Sequence, residues 1–238
     1  MLPPFSLVIP AFNEAARLGD TLPATLDYLA TVSPQSELIV VNDGSTDNTS
    51  TVAREALASA KVETRLLENF PNQGKGAAVR KGLLAARRPI GLFSDADLST
   101  PLEETPKLIE PIAQGDVDIA FGSRALDRRL IGHHQPWRRE QGGRVFNLVV
   151  RLATGLPFWD TQCGFKAFRL DVARPIIEAT RIIGFALDVE LLYLAHQAGL
   201  RLREVPVRWD HHEGSKVHFV HDSLRMLREV IAIRSRAK

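Results

Sequence analysis

Short apolar runs alternate with longer helical segments through the first half of this 238-residue sequence. The apolar runs predict strands at residues 6–9, 38–41, 64–67, 90–93 and 119–121. The segments between them have helical periodicity, at residues 15–29, 48–60, 76–86 and 102–114. Such an alternation predicts an α/β fold in which helices cover both faces of a mostly parallel central sheet.

The pattern is looser after Gly122, and we divide the single expected domain, residues 1–238, into halves at 1–122 and 123–238. The later elements are predicted as a basic segment at 125–141, helices at 144–154 and 187–198, and strands at 164–168 and 202–209. One stripe of the first of these helices carries Phe146, Val149, Val150 and Ala153. A basic amphipathic helix at 221–234 ends the chain, and its apolar stripe either packs on the domain or docks on a membrane surface.

Charge is distributed unevenly along the chain. Residues 1–120 contain 10 Lys and Arg against 16 Asp and Glu, whereas residues 121–238 contain 20 against 12. The acidic half suits a metal ion. The basic half suits anions such as phosphates or an acidic lipid surface, and the alternative is an ordinary solvated charged face.

No run approaches the roughly 18 consecutive apolar residues of a membrane span, and residues 1–5 lack the features of a signal peptide. We therefore expect a cytoplasmic protein, free or peripheral on the cytoplasmic face of the membrane, without a nucleic-acid partner. Cys163 is the only cysteine, which excludes an internal disulfide, and we interpret it as a buried residue rather than a nucleophile. The clustered histidines could form a second metal site, but exposed histidines are the favoured interpretation: His133, His134, His211, His212, His218 and His221.

Two carboxylates, Asp95 and Asp97, follow the predicted strand at 90–93. The carboxyl end of a strand is where an open α/β sheet binds its ligands, and two aspartates so close together can bind one hard cation. A diphosphate is the natural partner of that cation, although an ordinary Asx turn explains the pair equally simply. A helix is expected directly afterwards, with Thr100 as N-cap, Pro101 in its first position and Glu103 as capping-box partner.

Three further strand ends carry polar loops. Pro10 is expected to end the first strand, with Asn13 or Glu14 capping the next helix. In the second loop Asp43 can accept hydrogen bonds from a ribose or a base, Gly44 permits a sharp turn, and Asp47 caps the following helix.

The third loop contains Gly74-Lys75-Gly76, whose glycines permit close approach to a phosphate at a helix N-terminus. It is neither a P-loop nor a dinucleotide fingerprint, because the required Ser or Thr and the G-x-G-x-x-G spacing are absent.

These four loops together resemble the inverting family 2 glycosyltransferases with the GT-A fold. Residues 160–166, 185–190 and 213–217 make the chain similar to the polyprenyl- and dolichyl-phosphate sugar transferases, and most similar to the dolichyl-phosphate glucosyltransferase branch. The resemblance extends from about residue 6 to residue 234. It implies transfer of a hexose, expected to be glucose from UDP-glucose, to a polyprenyl or dolichyl phosphate with inversion. The alternatives are the same chemistry on a soluble or polysaccharide acceptor, and a nucleotide-sugar binding module without turnover.

The resemblance also implies roles for individual residues, with residues 1–122 binding the donor and metal and residues 123–238 the acceptor. Donor binding is assigned to Pro10, Ala11, Asn13, Glu14, Asp43, Gly74, Lys75, Asp95 and Ala96. Asp95 and Asp97 would bind Mg²⁺ or Mn²⁺, while Arg124 and Arg138 would bind the acceptor phosphate. Mannosyl relatives can have a further glutamine ligand where this sequence has Ser99.

Asp97, Asp160 and Asp188 are the catalytic candidates. For the last two, structural capping is an equally good interpretation. A phosphate acceptor is already anionic at neutral pH, so we expect it to require positioning more than a catalytic base.

Overall fold

The computed structural model describes residues 1–133, 137–211 and 226–233. Its centre is one seven-stranded sheet, and the strands are β1 (Phe5–Ala11), β2 (Glu37–Asp43), β3 (Glu63–Asn69), β4 (Ile90–Ser94), β5 (Ile119–Ser123), β6 (Phe165–Arg169) and β7 (Leu202–Pro206). They lie in the order β3-β2-β1-β4-β6-β5-β7. Strands β1 to β4 are mutually parallel, β6 runs antiparallel between β4 and β5, and β7 is parallel to β5. The predicted mostly parallel sheet is confirmed.

The helices are α1 (Ala15–Val32), α2 (Thr49–Ala58), α3 (Lys75–Ala85), α4 (Thr105–Ala113), α5 (Trp137–Thr154), α6 (Leu170–Ala179), α7 (Leu187–Gln197) and residues 226–233, here called α8. Two single-turn 3₁₀ helices cover Leu102–Glu104 and Arg128–Leu130. Within the described residues, no helix is long and apolar enough to cross a membrane.

Two apolar clusters lie on opposite faces of the sheet, because alternate side chains of a strand point to opposite sides. In β1, Leu7 and Ile9 pack in the cluster that contains α1, α2 and α4. Val8 packs in the other cluster, with α3, α5, α6, α7 and α8. Helices therefore cover both faces, as the sequence predicts.

Pro10 does not end β1, which continues to Ala11. The pairing of β1 with β4 stops at Val8 opposite Phe93, whereas its pairing with β2 continues to Ala11. Pro10 is therefore tolerated inside the strand, because it lies where one neighbouring strand has already ended and a missing N–H costs little.

The predicted cap after β4 is wrong. The first helical turn begins at Leu102, after Pro101, and no side chain caps it. The Thr100 hydroxyl instead lies 3.8 Å from the sulfur of Cys163, which is buried as expected. Burial raises the pKa of the Cys163 thiol to about 11, so this residue is protonated at neutral pH.

Helix α1 also lacks the predicted cap, since neither Asn13 nor Glu14 supplies a capping side chain. The capping carboxylate belongs to Asp47, which accepts hydrogen bonds from the N–H groups of Ala15 at 3.3 Å and Thr49 at 3.0 Å. Asp47 therefore bonds to the first residue of α2, although Asn48 rather than Asp47 is its N-cap residue, and the same carboxylate also bonds to the first residue of α1.

The second half differs more from expectation. Helix α6 was not predicted, although its apolar residues Leu170, Ala173 and Ile177 recur at helical spacing and are buried. Helix α5 begins seven residues earlier than predicted, at Trp137 rather than 144. The last strand ends at Pro206, and Trp209 forms only an isolated bridge with Ile131.

At the C-terminus, α8 buries Met226, Val230 and Ile233 in the cluster that contains α5 to α7. For residues 226–233 this favours packing on the domain over docking on a membrane. The remainder of the predicted helix, the motif at 213–217 and four of the clustered histidines (His134, His212, His218 and His221) lie outside the described residues.

Candidate functional site

The carboxyl ends of β1 to β4 meet at one edge of the sheet, because the four strands are parallel. Hydrogen bonds join the first two loops at this edge. Asn13, in the left-handed region at φ 54°, accepts from the N–H of Thr46 at 2.7 Å and donates its own N–H to Ser45 Oγ at 2.9 Å. The N–H of Glu14 donates to Thr49 Oγ1, and the Glu14 carboxylate forms an ion pair with Arg17.

Asp43 organises the loop after β3. Its buried carboxylate accepts four hydrogen bonds, from the side chains of Asn69 and Asn72 and from the N–H groups of Gln73 and Gly74. Gly44 adopts φ +69° and forms the expected sharp turn. Only glycine fits at this position, because a Cβ there would collide with the backbone at Asn72. The sequence identifies Asp43, but not that its carboxylate is bonded to this loop.

The glycines around Lys75 accommodate the protein's own chain. The N–H groups of Gly76 and Ala77, in the first turn of α3, donate to the carbonyl of Ile183 at 2.8 and 3.2 Å. A Cβ on Gly74 or Gly76 would collide with the 182–184 backbone. The expectation that these glycines admit a phosphate to the helix N-terminus is therefore corrected, because Ile183 occupies that position.

Lys75 lies among three acidic residues. Its Nζ is 2.6 Å from Asp95 Oδ1 and 5.9 Å from the centre of the Phe185 ring. Burial opposes the charged form of Lys75, but the carboxylate of Asp95, followed by those of Asp188 and Asp97, raises the pKa of the ammonium above its ordinary value. Lys75 is therefore a permanent cation at this edge of the sheet.

Asp95 and Asp97 are held by a tight turn after β4. The N–H of Asp95 donates to the carbonyl of Gly164, and Asp97 Oδ1 accepts from the N–H of Ser99 at 2.9 Å, which is an Asx turn. A side chain at Gly164 would collide with the Asp95 carboxylate. The turn and the cation-binding interpretation are thus compatible, since the turn leaves both carboxylates partly exposed.

The donor set fits a hard divalent cation. Mg²⁺ is commonly bound by one or two carboxylates, with water and substrate phosphates completing its coordination. Across residues 1–133, 137–211 and 226–233 there is no group of three or more His, Cys, Asp or Glu side chains that could bind a metal ion without help. Asp95 and Asp97 would therefore need a phosphorylated ligand to complete a site.

Asp188 forms a buried ion pair that the sequence pattern does not predict. Lys166 is fully buried in β6, and its Nζ lies 2.5 Å from Asp188 Oδ1 and 2.5 Å from the carbonyl oxygen of Cys163. A lysine between Phe165 and Ala167 in an apolar strand is the signal that could have revealed it. The Asp188 carboxylate contacts Lys166 and also contributes to the raised pKa of Lys75, so it stabilises both cations.

Arg124 and Asp160 form a second pair near this edge. Asp160 accepts from Arg124 Nε at 2.7 Å, from Nη2 at 2.9 Å and from the Arg124 N–H at 3.0 Å. Burial opposes ionisation of Asp160, but Arg124 holds the pKa of the carboxyl at about 2. Glu204, which was also not predicted, accepts from the N–H of Asp160 at 2.8 Å. These contacts favour the structural interpretation of Asp160.

A cleft of about 470 Å³ opens beside Arg124. Its residues come from the β5–α5 segment, α5, residues 159–160 and Trp209: Arg124, Ala125, Arg128, Ile131, Glu140, Gly143, Arg144, Asn147, Leu148, Arg151, Trp159, Asp160 and Trp209. The Arg151 guanidinium lies 3.9 Å from the Trp159 ring centre, and that of Arg124 lies 5.6 Å from Trp209. Arg138 belongs to α5, but its side chain is outside the described part of the structure.

The structure thus brings Lys75, Asp95, Asp97 and Asp188 together, and it places Arg124 with Asp160 in an adjoining pair. The two groups are near one another, since the Asp95 charge also contributes to the raised pKa of Arg124. The cleft was not predicted, because its arginines and tryptophans come from segments that are far apart in sequence.

Solved structures with this fold include glucosyl-3-phosphoglycerate synthase from Mycobacterium tuberculosis in complex with Mn²⁺, UDP and glucosyl-3-phosphoglycerate. It is 22% identical, with a TM-score of 0.67 over 98% of this chain and 78% of that one. A second structure of that enzyme contains Mg²⁺ and UDP, at 21% identity and a TM-score of 0.67 over 98% of this chain and 78% of that one. The predicted GT-A fold is confirmed.

Among curated proteins, the dolichyl-phosphate beta-glucosyltransferase of Drosophila melanogaster is 38% identical over 96% of this chain and 73% of the relative. The human protein of the same name is 33% identical over 97% of this chain and 75% of the relative. The model of glycosyl transferase family 2 matches residues 6–176. The chain therefore belongs to glycosyl transferase family 2 and is a glycosyltransferase.

Proposed function

We propose that this protein transfers glucose from UDP-glucose to the phosphate of a polyprenyl or dolichyl lipid, with inversion at the anomeric carbon. An oxygen of the acceptor phosphate forms the new bond to that carbon, the bond from the carbon to the diphosphate breaks, and UDP leaves with the electron pair. The names of the relatives support the substrates. The observation that carries the proposal is the cationic cleft at Arg124, directly beside the edge that holds Lys75, Asp95 and Asp97.

On the donor side, the loops with Pro10, Ala11, Asn13, Glu14, Asp43, Gly74 and Ala96 form the proposed nucleotide-sugar pocket. Because Asn13 and Asp43 are bonded to the neighbouring loops, their proposed contribution is to fix the shape of that pocket. Preorganisation of this kind lowers the entropy lost on binding.

The leaving diphosphate gains negative charge as the glucose departs. Asp95 and Asp97 would hold Mg²⁺ or Mn²⁺, which offsets this charge when bound. Lys75 supplies a second positive charge, and Asp95 must divide its oxygens between Lys75 and the ion. Asp97 acts catalytically in this proposal as a metal ligand.

The acceptor is already a nucleophile, because a phosphate monoester with a second pKa of about 6 is largely dianionic at neutral pH. The acceptor phosphate needs to be positioned, and we propose that Arg124 and Arg138 bind it for this purpose. Asp160 orients the Arg124 guanidinium through two side-chain hydrogen bonds, and Asp188 supports Lys75. Both aspartates are therefore positioning residues rather than bases.

A panel of nucleotide sugars, each with and without polyprenyl phosphate and with a chelator control, tests the proposal. We expect a glucosylated lipid only with UDP-glucose, polyprenyl phosphate and a divalent cation present together. Transfer to a water-soluble phosphate ester but not to the lipid would contradict the acceptor assignment. Hydrolysis of the donor without transfer to any acceptor would contradict the whole proposal.

A further inference from the structure

Helix α5 exposes an apolar stripe to solvent. Trp137 is 72% exposed, Val145 62%, Leu148 53% and Leu152 75%. At 100° per residue these four side chains fall within about 80° of the helix circumference and extend over about 22 Å. The opposite side of the same helix buries Phe146 and Val150 in the core. We call the four exposed residues the α5 stripe.

The α5 stripe is continuous with the cleft, because Leu148 belongs to both. The adjoining sector of the helix, towards the cleft, carries Arg144 and Arg151. Trp159, 55% exposed, stacks against the Arg151 guanidinium at the cleft. Exposed leucine and tryptophan beside arginine is the arrangement of side chains that lie at the boundary between lipid headgroups and acyl chains.

The charge around the stripe matches an anionic surface. The cleft is lined by four arginines and two carboxylates, Glu140 and Asp160. Basic side chains next to a bilayer are attracted to anionic headgroups. The C-terminal helix α8, the other candidate for this role, instead buries Met226, Val230 and Ile233 in the core, and Ile231 is the one large apolar side chain that its described residues expose.

We propose that the α5 stripe docks the protein on an anionic phospholipid bilayer, with the mouth of the cleft facing the headgroups. This deepens the proposed function, on which it rests for the identity of the lipid that enters the cleft. A prenyl phosphate could then pass from the bilayer into the cleft while its hydrocarbon chain stays in lipid. Glucose transfer would occur at the membrane surface, beside Arg124.

A second copy of the chain is a poorer occupant for the stripe. Four side chains on one helix are far fewer than the roughly 20 to 30 residues a side that a stable protein interface uses. A symmetric pairing through the stripe would also bring the Arg144 and Arg151 side chains of both copies together. Like charges in such a contact are unfavourable.

Flotation with vesicles tests the proposal without donor or acceptor. The full chain should bind vesicles of phosphatidylcholine and phosphatidylglycerol more strongly than phosphatidylcholine alone, and added salt should weaken the binding. Leu152→Gln should reduce partitioning roughly tenfold, the factor expected from losing partial burial of one leucine. Ile231→Gln on α8, where Ile231 is 58% exposed, is the matched control and should leave binding unchanged.

Neither variant should alter glucosyl transfer to a short, water-soluble prenyl phosphate, because neither residue lines the cleft. Absence of vesicle binding by the unmodified protein, or equal binding by Leu152→Gln, would overturn the proposal. A dimer in light scattering that Leu152→Gln converts to a monomer would overturn it in favour of a second copy. If vesicle binding behaves as expected but no prenyl phosphate is glucosylated, docking stands and the proposed function fails.

Discussion

The sheet edge that carries Lys75, Asp95 and Asp97 and the cleft beside Arg124 are built in opposite ways, and we name them the donor edge and the acceptor cleft after their proposed ligands. At the donor edge the polar side chains are already bonded to the protein, as Asp43 is through four hydrogen bonds. In the acceptor cleft Trp159 is mostly exposed, and the apolar α5 stripe continues beyond it into solvent. A rigid edge suits a small polar ligand of fixed shape, whereas an open cleft that continues into an apolar stripe suits a ligand that extends out of the protein.

The two regions also treat charge differently. At the donor edge, Lys75 lies among Asp95, Asp97 and Asp188, and Lys166 pairs with Asp188, so that two positive charges face three negative ones. In the cleft, four arginines face two carboxylates. The first arrangement attracts a cation and the second an anion, which suggests four tests that separate the regions.

The largest effect is expected from Asp97→Asn, which removes charge at the donor edge but keeps an oxygen to accept from Ser99. Turnover should fall by about a thousandfold, or about 4 kcal/mol, because the leaving group loses its metal. The measurement is kcat over a titration of Mn²⁺, with Asp171→Asn on the surface of α6 as control. Retention of more than a tenth of the activity would contradict the assignment of Asp97.

Lys166→Met should have the next largest effect, because it leaves the Asp188 carboxylate buried without its partner. The free energy of unfolding should fall by about 3 kcal/mol, measured by urea denaturation. Lys61→Met, at an exposed position, is the control. In the double variant Lys166→Met/Asp188→Leu, stability should largely return, because no buried charge is left unpaired. Its turnover should remain below that of the unmodified protein, because Lys75 has lost the Asp188 charge. A double variant as active as the unmodified protein would show that the pair does not contribute to catalysis.

The Asp160–Arg124 pair predicts a loss of stability in acid. The folded pKa of Asp160 is about 2, below its ordinary value of 3.8, so the pair stabilises the protein fully above about pH 4 and progressively less as the pH falls towards 2. The loss should be about 2 kcal/mol over this interval. Asp160→Asn should therefore flatten the pH dependence of unfolding between pH 4 and 2, which Asp171→Asn should not do.

Arg138→Ala is expected to have the smallest effect, confined to the acceptor. The KM for polyprenyl phosphate should rise about tenfold, or about 1.4 kcal/mol, while the KM for UDP-glucose stays unchanged. Arg129→Ala, in the same basic segment (125–141) and with an exposed side chain, is the control. Equal changes in both KM values would show that Arg138 does not distinguish the two regions.

The sequence predicts the donor edge better than the cleft for a physical reason. Residues at the ends of parallel strands are brought together by topology alone, so the order of strands along the chain is enough to group Asp43, Lys75 and Asp95. The Lys166–Asp188 contact joins residues 22 positions apart on different elements, which no local pattern encodes. In α5 the predicted stripe does bury Phe146 and Val150, but the sequence does not reveal that Leu148 and Leu152 on the other side remain exposed.

The carbonyl of Ile183 has a mechanical consequence. It accepts from Gly76 and Ala77, and the neighbouring Phe185 lies over Lys75, so the segment between α6 and α7 is fastened to the start of α3. Movement of the start of α3 on release of the proposed nucleotide would therefore break these hydrogen bonds or move residues 182–185 with it. We therefore expect release of the nucleotide and displacement of residues 182–185 to occur as a single event.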